Sequence, residues 1–247
     1  MYPRTRLLAI LVGSLLAWGC GSGPTYQGLS DQDLLRLART KYEAGDYGDA
    51  IKALERLTVS FGTSPLQPDA RLLLADAYYA KHDYLTARSE YQRFLDRYPG
   101  HEKAPYAALG VCRSLAALAP HPQRDQTYTQ QALSVCRNVV VDYAGHEASA
   151  KAAAIANEMR ARLAEKEYLT GKFYLKRKLY DSAIKYFGFV VDLYPETKWS
   201  AWAMLGIVKA NEAIGYDDEV KKWKDRLLAE HPDSEAAKQL ANGSATG

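Results

Sequence analysis

Residues 41–61 read KYEAGDYGDAIKALERLTVSF, and residues 78–98 read YYAKHDYLTARSEYQRFLDRY. Tyr42, Tyr47, Ala50, Leu57 and Phe61 of the first stretch return 37 positions later as Tyr79, Tyr84, Ala87, Phe94 and Tyr98. A fixed offset of this size marks a helical repeat array, in which like units stack and present a long surface. Such arrays bind far more often than they catalyse. The function therefore turns on what the array is attached to and what it holds.

Working outward, each unit reads as two antiparallel helices. In the first, Leu34, Leu35, Ala38 and Tyr42 recur at helical spacing, Gly45-Asp46 breaks the chain, and Tyr47, Ala50, Ile51, Leu54 and Leu57 form a second apolar stripe. The second unit turns at His82-Asp83 and stops at Tyr98-Pro99-Gly100, where proline cannot continue a helix. Helix-ending aromatics fall at Phe61, Tyr98, Tyr143 and Tyr194, with His231 in the last place, so the spacings are 37, 45, 51 and 37. The 45 comes from a loop at 119–125. The 51 comes from residues 147–178, which hold no Pro and a single Gly, Gly171. That stretch reads as one helix of about 30 residues, roughly 45 Å long. Its last part is the first helix of unit four, and its earlier part is an extension. The fold class is thus all-α, a solenoid of five helix pairs with a long helix joining the third and fourth units. The expected boundaries are 1–19 leader, 20–28 flexible tether, 29–146 repeats one to three, 147–240 long helix and repeats four and five, and 241–247 disordered tail.

The start of the chain addresses attachment. Arg4 and Arg6 precede an apolar run from Leu7 to Trp18, too short to span a bilayer and suited to a signal-peptide core. Ala17-Trp18-Gly19-Cys20 resembles the lipobox of bacterial lipoproteins, which implies lipidation of Cys20. Gly21 after the cysteine resembles the outer-membrane sorting pattern, and 21–24 (Gly-Ser-Gly-Pro) reads as a tether. The expected location is the periplasmic face of the outer membrane, lipid-anchored.

Charge and chemistry exclude other classes. Without residues 1–19 the chain loses two of its 32 basic residues and none of its 29 acidic ones, leaving 30 against 29, a net +1. No basic excess is available to neutralise phosphates, which argues against nucleic acid as a partner. The five histidines are scattered, without metal-ligand spacing. There is no Gly-rich phosphate loop and no nucleophile elbow. No enzyme activity, cofactor or metal is expected.

A few residues stand out for binding. Tyr78 precedes the core Tyr79, and Tyr174 holds the same register in unit four, where unit one has Lys41. These tyrosines either pack between repeats or line the inner surface and grip an extended or aromatic-ended peptide. Lys172, Lys176, Arg177 and Lys178 make a basic end to the long helix: a solvated face that complements the helix dipole, or a contact for an acidic partner. Cys112 and Cys136 both face the core of unit three. A disulfide there would close a loop worth roughly 3–4 kcal/mol in the chain-entropy model. Pairing needs Cα atoms about 5.5 Å apart, closer than helix axes lie, so two buried free thiols are the favoured state.

The small-residue, Tyr, Ala and terminal Pro positions resemble tetratricopeptide repeats, although the period is 37 and not the usual 34. The order of features is more specific. A lipoprotein signal, Gly45-Asp46-Tyr47 with Ala50-Ile51, the Arg124-Asp125-Gln126 loop before Ala132, and the extended linking helix together resemble the BamD family of outer-membrane assembly lipoproteins, over about residues 28–240. In repeat five the pattern departs, with Val220 in place of the expected Ala. The resemblance implies an adaptor without cofactor. Its partners would be unfolded β-barrel precursors, the barrel-forming core subunit with its periplasmic domains, and other assembly lipoproteins. Tyr78, Tyr174, Arg124, Lys172 and Lys176 are the candidate contacts. The alternative is another tetratricopeptide-repeat lipoprotein, scaffolding envelope constriction or a secretion pore.

Overall fold

The structure is a computed structural model that describes residues 26–244. The leader, Cys20 and residues 20–25 of the tether lie outside the described residues, as do 245–247. Eleven helices and no strand occur among the described residues: α1 (Asp31–Glu43), α2 (Tyr47–Ser60), α3 (Gln67–Ala80), α4 (Tyr84–Arg97), α5 (Ala104–Ala117), α6 (Thr127–Asp142), α7 (Glu147–Lys176), α8 (Tyr180–Leu193), α9 (Lys198–Ile214), α10 (Asp217–Glu230) and α11 (Glu235–Ser244). Helices α1 to α10 pack in consecutive pairs, and the second helix of each pair packs on the first helix of the next.

Local chemistry sets these boundaries. Ser30 accepts from the Asp33 N–H at 3.1 Å, and Asp83 from the Thr86 N–H at 3.2 Å, so each caps free donors of a helix start. The expected helix-ending aromatics all serve as C-caps. The backbone N–H groups of Phe61, Tyr98, Tyr143, Tyr194 and His231 each donate to the carbonyl four residues earlier. Within four of the pairs the turn passes through one left-handed residue in the same register: Gly45 at φ +80°, His82 at +65°, Lys178 at +60° and Gly215 at +79°. Only glycine adopts this conformation without penalty, so His82 and Lys178 carry a local cost of about 1–2 kcal/mol.

The core repeats a single device. Ala38, Ala50, Ala75, Ala87 and Ala183 are completely buried, which lets paired helices approach. A fully buried aromatic on each of two second helices then presses on a glycine of the following first helix. Tyr91 of α4 lies against Gly110 of α5, and Phe187 of α8 against Gly206 of α9. A Cβ at these glycines would meet the ring carbons at 2.6 and 2.5 Å. Burying such a ring stabilises the stack by about 2–3 kcal/mol.

Three boundaries or states differ from the sequence reading. Tyr26 does not belong to a free tether: it packs on the first cluster, and its O–H donates to the Asp49 carbonyl at 3.3 Å. The tail is helical to Ser244 in α11, whose Ala236 and Ala237 are buried against the last pair, so a disordered tail from 241 is corrected. The favoured free thiols are also corrected. Cys112 and Cys136 form a disulfide, with Sγ atoms 2.07 Å and Cα atoms 5.0 Å apart. Cα atoms of facing positions lie closer together than the helix axes do. Each Cα lies about 2.3 Å off its axis, so facing Cα atoms approach by about 4–5 Å more than axes 8–10 Å apart suggest.

Gly206→Ala is expected to lower stability by about 1–3 kcal/mol, because the buried ring of Phe187 has nowhere to move. Gly188→Ala, with open space around its Cβ and a place in the interior of α8, is expected to raise it by about 0.5–1 kcal/mol. Denaturant unfolding of both variants checks the pair. In a chain that begins at Tyr26, where Cys112 and Cys136 are the two cysteines, the unfolded protein should show no reactive thiol. Replacing both by Ala should cost about 3–4 kcal/mol.

Candidate partner-binding surfaces

The first helices of the pairs, α1, α3, α5, α7 and α9, run side by side. Of the clefts on them, one in each half combines charged and aromatic side chains. In the N-terminal half, Leu72, Asp76, Lys103, Tyr106, Arg113 and Lys151 line a cleft of about 380 Å³. Its centre is a linked cluster. Tyr91 donates its O–H to Asp76, and Arg113 donates to both the Tyr91 oxygen and, at 2.7 Å, to Asp76. The Arg113 guanidinium also lies over the Tyr79 ring, 4.4 Å from its centroid. Burial pushes the Asp76 carboxyl above its usual range, while Tyr91 and Arg113 pull it back. Burial likewise pushes the Tyr91 phenol up. Two turns earlier on α3, Asp69 takes Lys103 at 2.7 Å and Arg39 at 3.1 Å, and the Lys103 hydrogen bond holds its carboxyl below the usual range. This face is therefore polar, aromatic and internally paired.

In the C-terminal half, Tyr168, Lys172, Leu175, Trp202, Lys209 and Gln239 line a cleft of about 250 Å³ between α7, α9 and α11. Its floor is apolar and its two ammonium groups are exposed at the rim. Lys172 lies over the Tyr168 ring at 5.7 Å. Lys176 is exposed in the last turn of α7.

The two candidate tyrosines are in separate halves and do not form one site. Tyr78 packs between the first and second pairs, and its O–H donates to Glu55 at 2.6 Å. Burial and that carboxylate push its phenol up. This is inter-repeat packing. Tyr174 stacks on Tyr186 of α8, with centroids 5.2 Å apart and planes 12° apart. The loop at 119–125 comes to the same region, because its Gln123 lines a pocket with Phe173 and Tyr174. The buried Gln126 organises the loop by donating to the carbonyls of His121, Pro122 and Arg124. Arg162 of α7 fixes it from below, donating to the carbonyls of Ala119 at 2.8 Å and Pro120 at 3.1 Å. The Arg124 side chain is exposed on this loop.

Sequence reasoning missed the Asp76–Tyr91–Arg113 cluster and the aromatic group Phe173, Tyr186 and Phe189. The first had no periodic signal. The second had one: Phe173 falls where the repeat places Ala77 in α3 and Ser114 in α5.

Among the described residues no group of His, Cys, Asp and Glu could hold a metal ion, and no helix is long and apolar enough to cross a membrane. The model of the YfiO family, described as outer membrane lipoprotein, matches residues 28–227. The chain belongs to that family. The YfiO match begins just before α1 and runs to Leu227 in α10, so it takes in both halves apart from the end of α10 and α11, whose Gln239 lines the second cleft. Relatives agree. The outer membrane protein assembly factor BamD of Rickettsia prowazekii is 27% identical over 238 residues, 93% of each chain. That of Caulobacter vibrioides is 26% identical over 224 residues, 89% of this chain and 73% of the relative. Among solved structures, the TPR2AB domain of yeast Sti1 in complex with pHSP90 aligns at 14% identity with a TM-score of 0.47, over 84% of this chain and 80% of that one. So low a score adds nothing to what the helices themselves show.

The two halves of this YfiO-family chain are clamped by Arg160 of α7, which donates to both carboxylate oxygens of Glu196 and, at 2.7 Å, to the Leu193 carbonyl. Arg160 holds the Glu196 carboxyl below its usual range. A carboxylate whose folded pKa is depressed stabilises above its unfolded pKa and loses that effect as pH falls through the folded pKa. Glu196→Gln should therefore melt below the parent chain at neutral pH, with the gap closing as pH falls below the ordinary carboxylate range. Melting temperatures from pH 7 to pH 3 check the sign.

Proposed function

We propose that the chain is a lipid-anchored periplasmic adaptor of the outer-membrane β-barrel assembly machine. One observation carries this reading: relatives described as outer membrane protein assembly factors align with nearly the whole chain, through both halves and the long helix between them. Cys20 is the proposed lipidation site, and the anchor holds the solenoid at the periplasmic face. The buried Cys112–Cys136 disulfide supports an oxidising compartment.

In this reading the N-terminal repeats receive unfolded barrel precursors through a C-terminal targeting strand. The cleft at Asp76 and Arg113 offers paired charges and aromatic rings to an extended segment. The C-terminal repeats dock the periplasmic domains of the barrel-forming core subunit, with Lys172, Lys176 and Tyr174 as contacts and Arg124 nearby on its loop. Other assembly lipoproteins join the same complex. The mechanism is binding and positioning, without cofactor or nucleotide.

Depletion of the chain in the cells that make it is expected to lower the levels of folded outer-membrane β-barrels several-fold. Heat-modifiable mobility of barrels in isolated outer membranes reads this directly. Unchanged barrel levels would refute the reading.

A further inference from the structure

In this stack each first helix offers one face to the second helix of the preceding pair. In α3 that face is Ala70, Leu73, Leu74, Ala77 and Tyr78, which shares a cluster with Ala53, Leu54 and Leu57 of α2. The repeat register places Ala107, Gly110, Val111, Ser114 and Leu115 there in α5, and Ala203, Gly206, Ile207, Ala210 and Asn211 there in α9. All ten are buried. In α7 the same register holds Lys166, Leu169, Thr170, Phe173 and Tyr174. No second helix of a preceding pair covers them, and only Tyr174 among them stacks on α8. Helix α6 is spent on the earlier part of α7, where Cys136 and Val139 meet Ala148, Ala152 and Ala156. Phe173 is 51% exposed. These five residues, with Gln123, line an open pocket of about 270 Å³.

The first pair also lacks a preceding helix, and it shows what a water-facing version looks like. There the register reads Asp33, Arg36, Leu37, Thr40 and Lys41, four polar residues in five. The face on α7 instead carries Leu, Phe and Tyr, and it widens onto α8 through Tyr186 and the 37%-exposed Phe189. Cations border it. Arg177 lies over Phe173 at 4.4 Å and Lys185 over Phe189 at 5.9 Å, with Lys176 and Lys178 beside them. Among the described residues none of these four is in an ion pair. Asp125 of the loop partly offsets Lys166 at the other end.

We infer that this face receives an amphipathic helix of a partner protein, apolar on the side that enters and acidic along its flanks. It takes the place on α7 that α2, α4 and α8 take on α3, α5 and α9. The helical form follows from the face, which is shaped by the repeat to accept a helix, and the acidic flanks follow from the cationic border. The inference rests on the adaptor reading and names the kind of segment that docks.

The test is a benzophenone amino acid in place of Phe173 in the full chain, in the cells that make it, with the same probe at Arg36 as control. Irradiation should give one discrete protein adduct from position 173 and none from position 36. Mass spectrometry of the joined peptide should show apolar residues at helical spacing flanked by Asp and Glu. Adding Arg177→Glu and Lys185→Glu should lower the adduct yield roughly tenfold while the helical content and melting temperature stay unchanged. Four outcomes would overturn it: no adduct, an adduct of two copies of this chain, a basic or non-helical joined peptide, or a yield indifferent to the charge reversal. Barrel levels on depletion decide the adaptor reading separately, so either can fail alone.

Discussion

A helix longer than its neighbours cannot be covered along its whole length by one preceding helix. In this stack each first helix after α1 packs on its own partner on one side and on the helix before it on the other. The 30-residue α7 spends its first half on α6 and its second half on α8. That division gives the chain two ends, each with its own cleft. It also leaves one apolar face of α7 without a neighbour. The rest of the architecture either follows from this constraint or supports it.

The support is concentrated near the junction. The Cys112–Cys136 disulfide ties α5 to α6, the pair on which the first half of α7 rests. Arg162 holds the loop of that pair against α7, and Arg160 ties α7 to the end of α8. In each half an aromatic ring pressed on glycine locks the pairs together. In the proposed adaptor, these ties would hold the two halves in register with each other.

Much of this was legible in the sequence. The 37-residue echo, the helix-ending aromatics and the Pro-free run of 147–178 placed α1 to α10, because each signal reflects a local rule of helix geometry or termination. Other features were not legible, for identifiable reasons. Residues 241–244 are small and polar and read like a tail; they continue α11, which packs on the last pair through Ala236 and Ala237. The disulfide was not legible, because facing Cα atoms lie several ångströms closer than the helix axes that sequence spacing implies. Tyr78 and Tyr174 share a register yet differ in surroundings, since one has a preceding helix and the other has none. Periodicity reports which face is apolar and is silent on whether a neighbour covers it. Phe173 stood in the register of Ala77 all along, and only the packing showed that its face is uncovered.

The most direct measurement is affinity isolation of the full lipid-anchored chain from detergent-solubilised cell envelopes, followed by quantitative mass spectrometry. The account predicts recovery of the barrel-forming core subunit of the assembly machine in near-stoichiometric amount. Recovery of constriction or secretion-pore components in its place, with the core subunit absent, would contradict it.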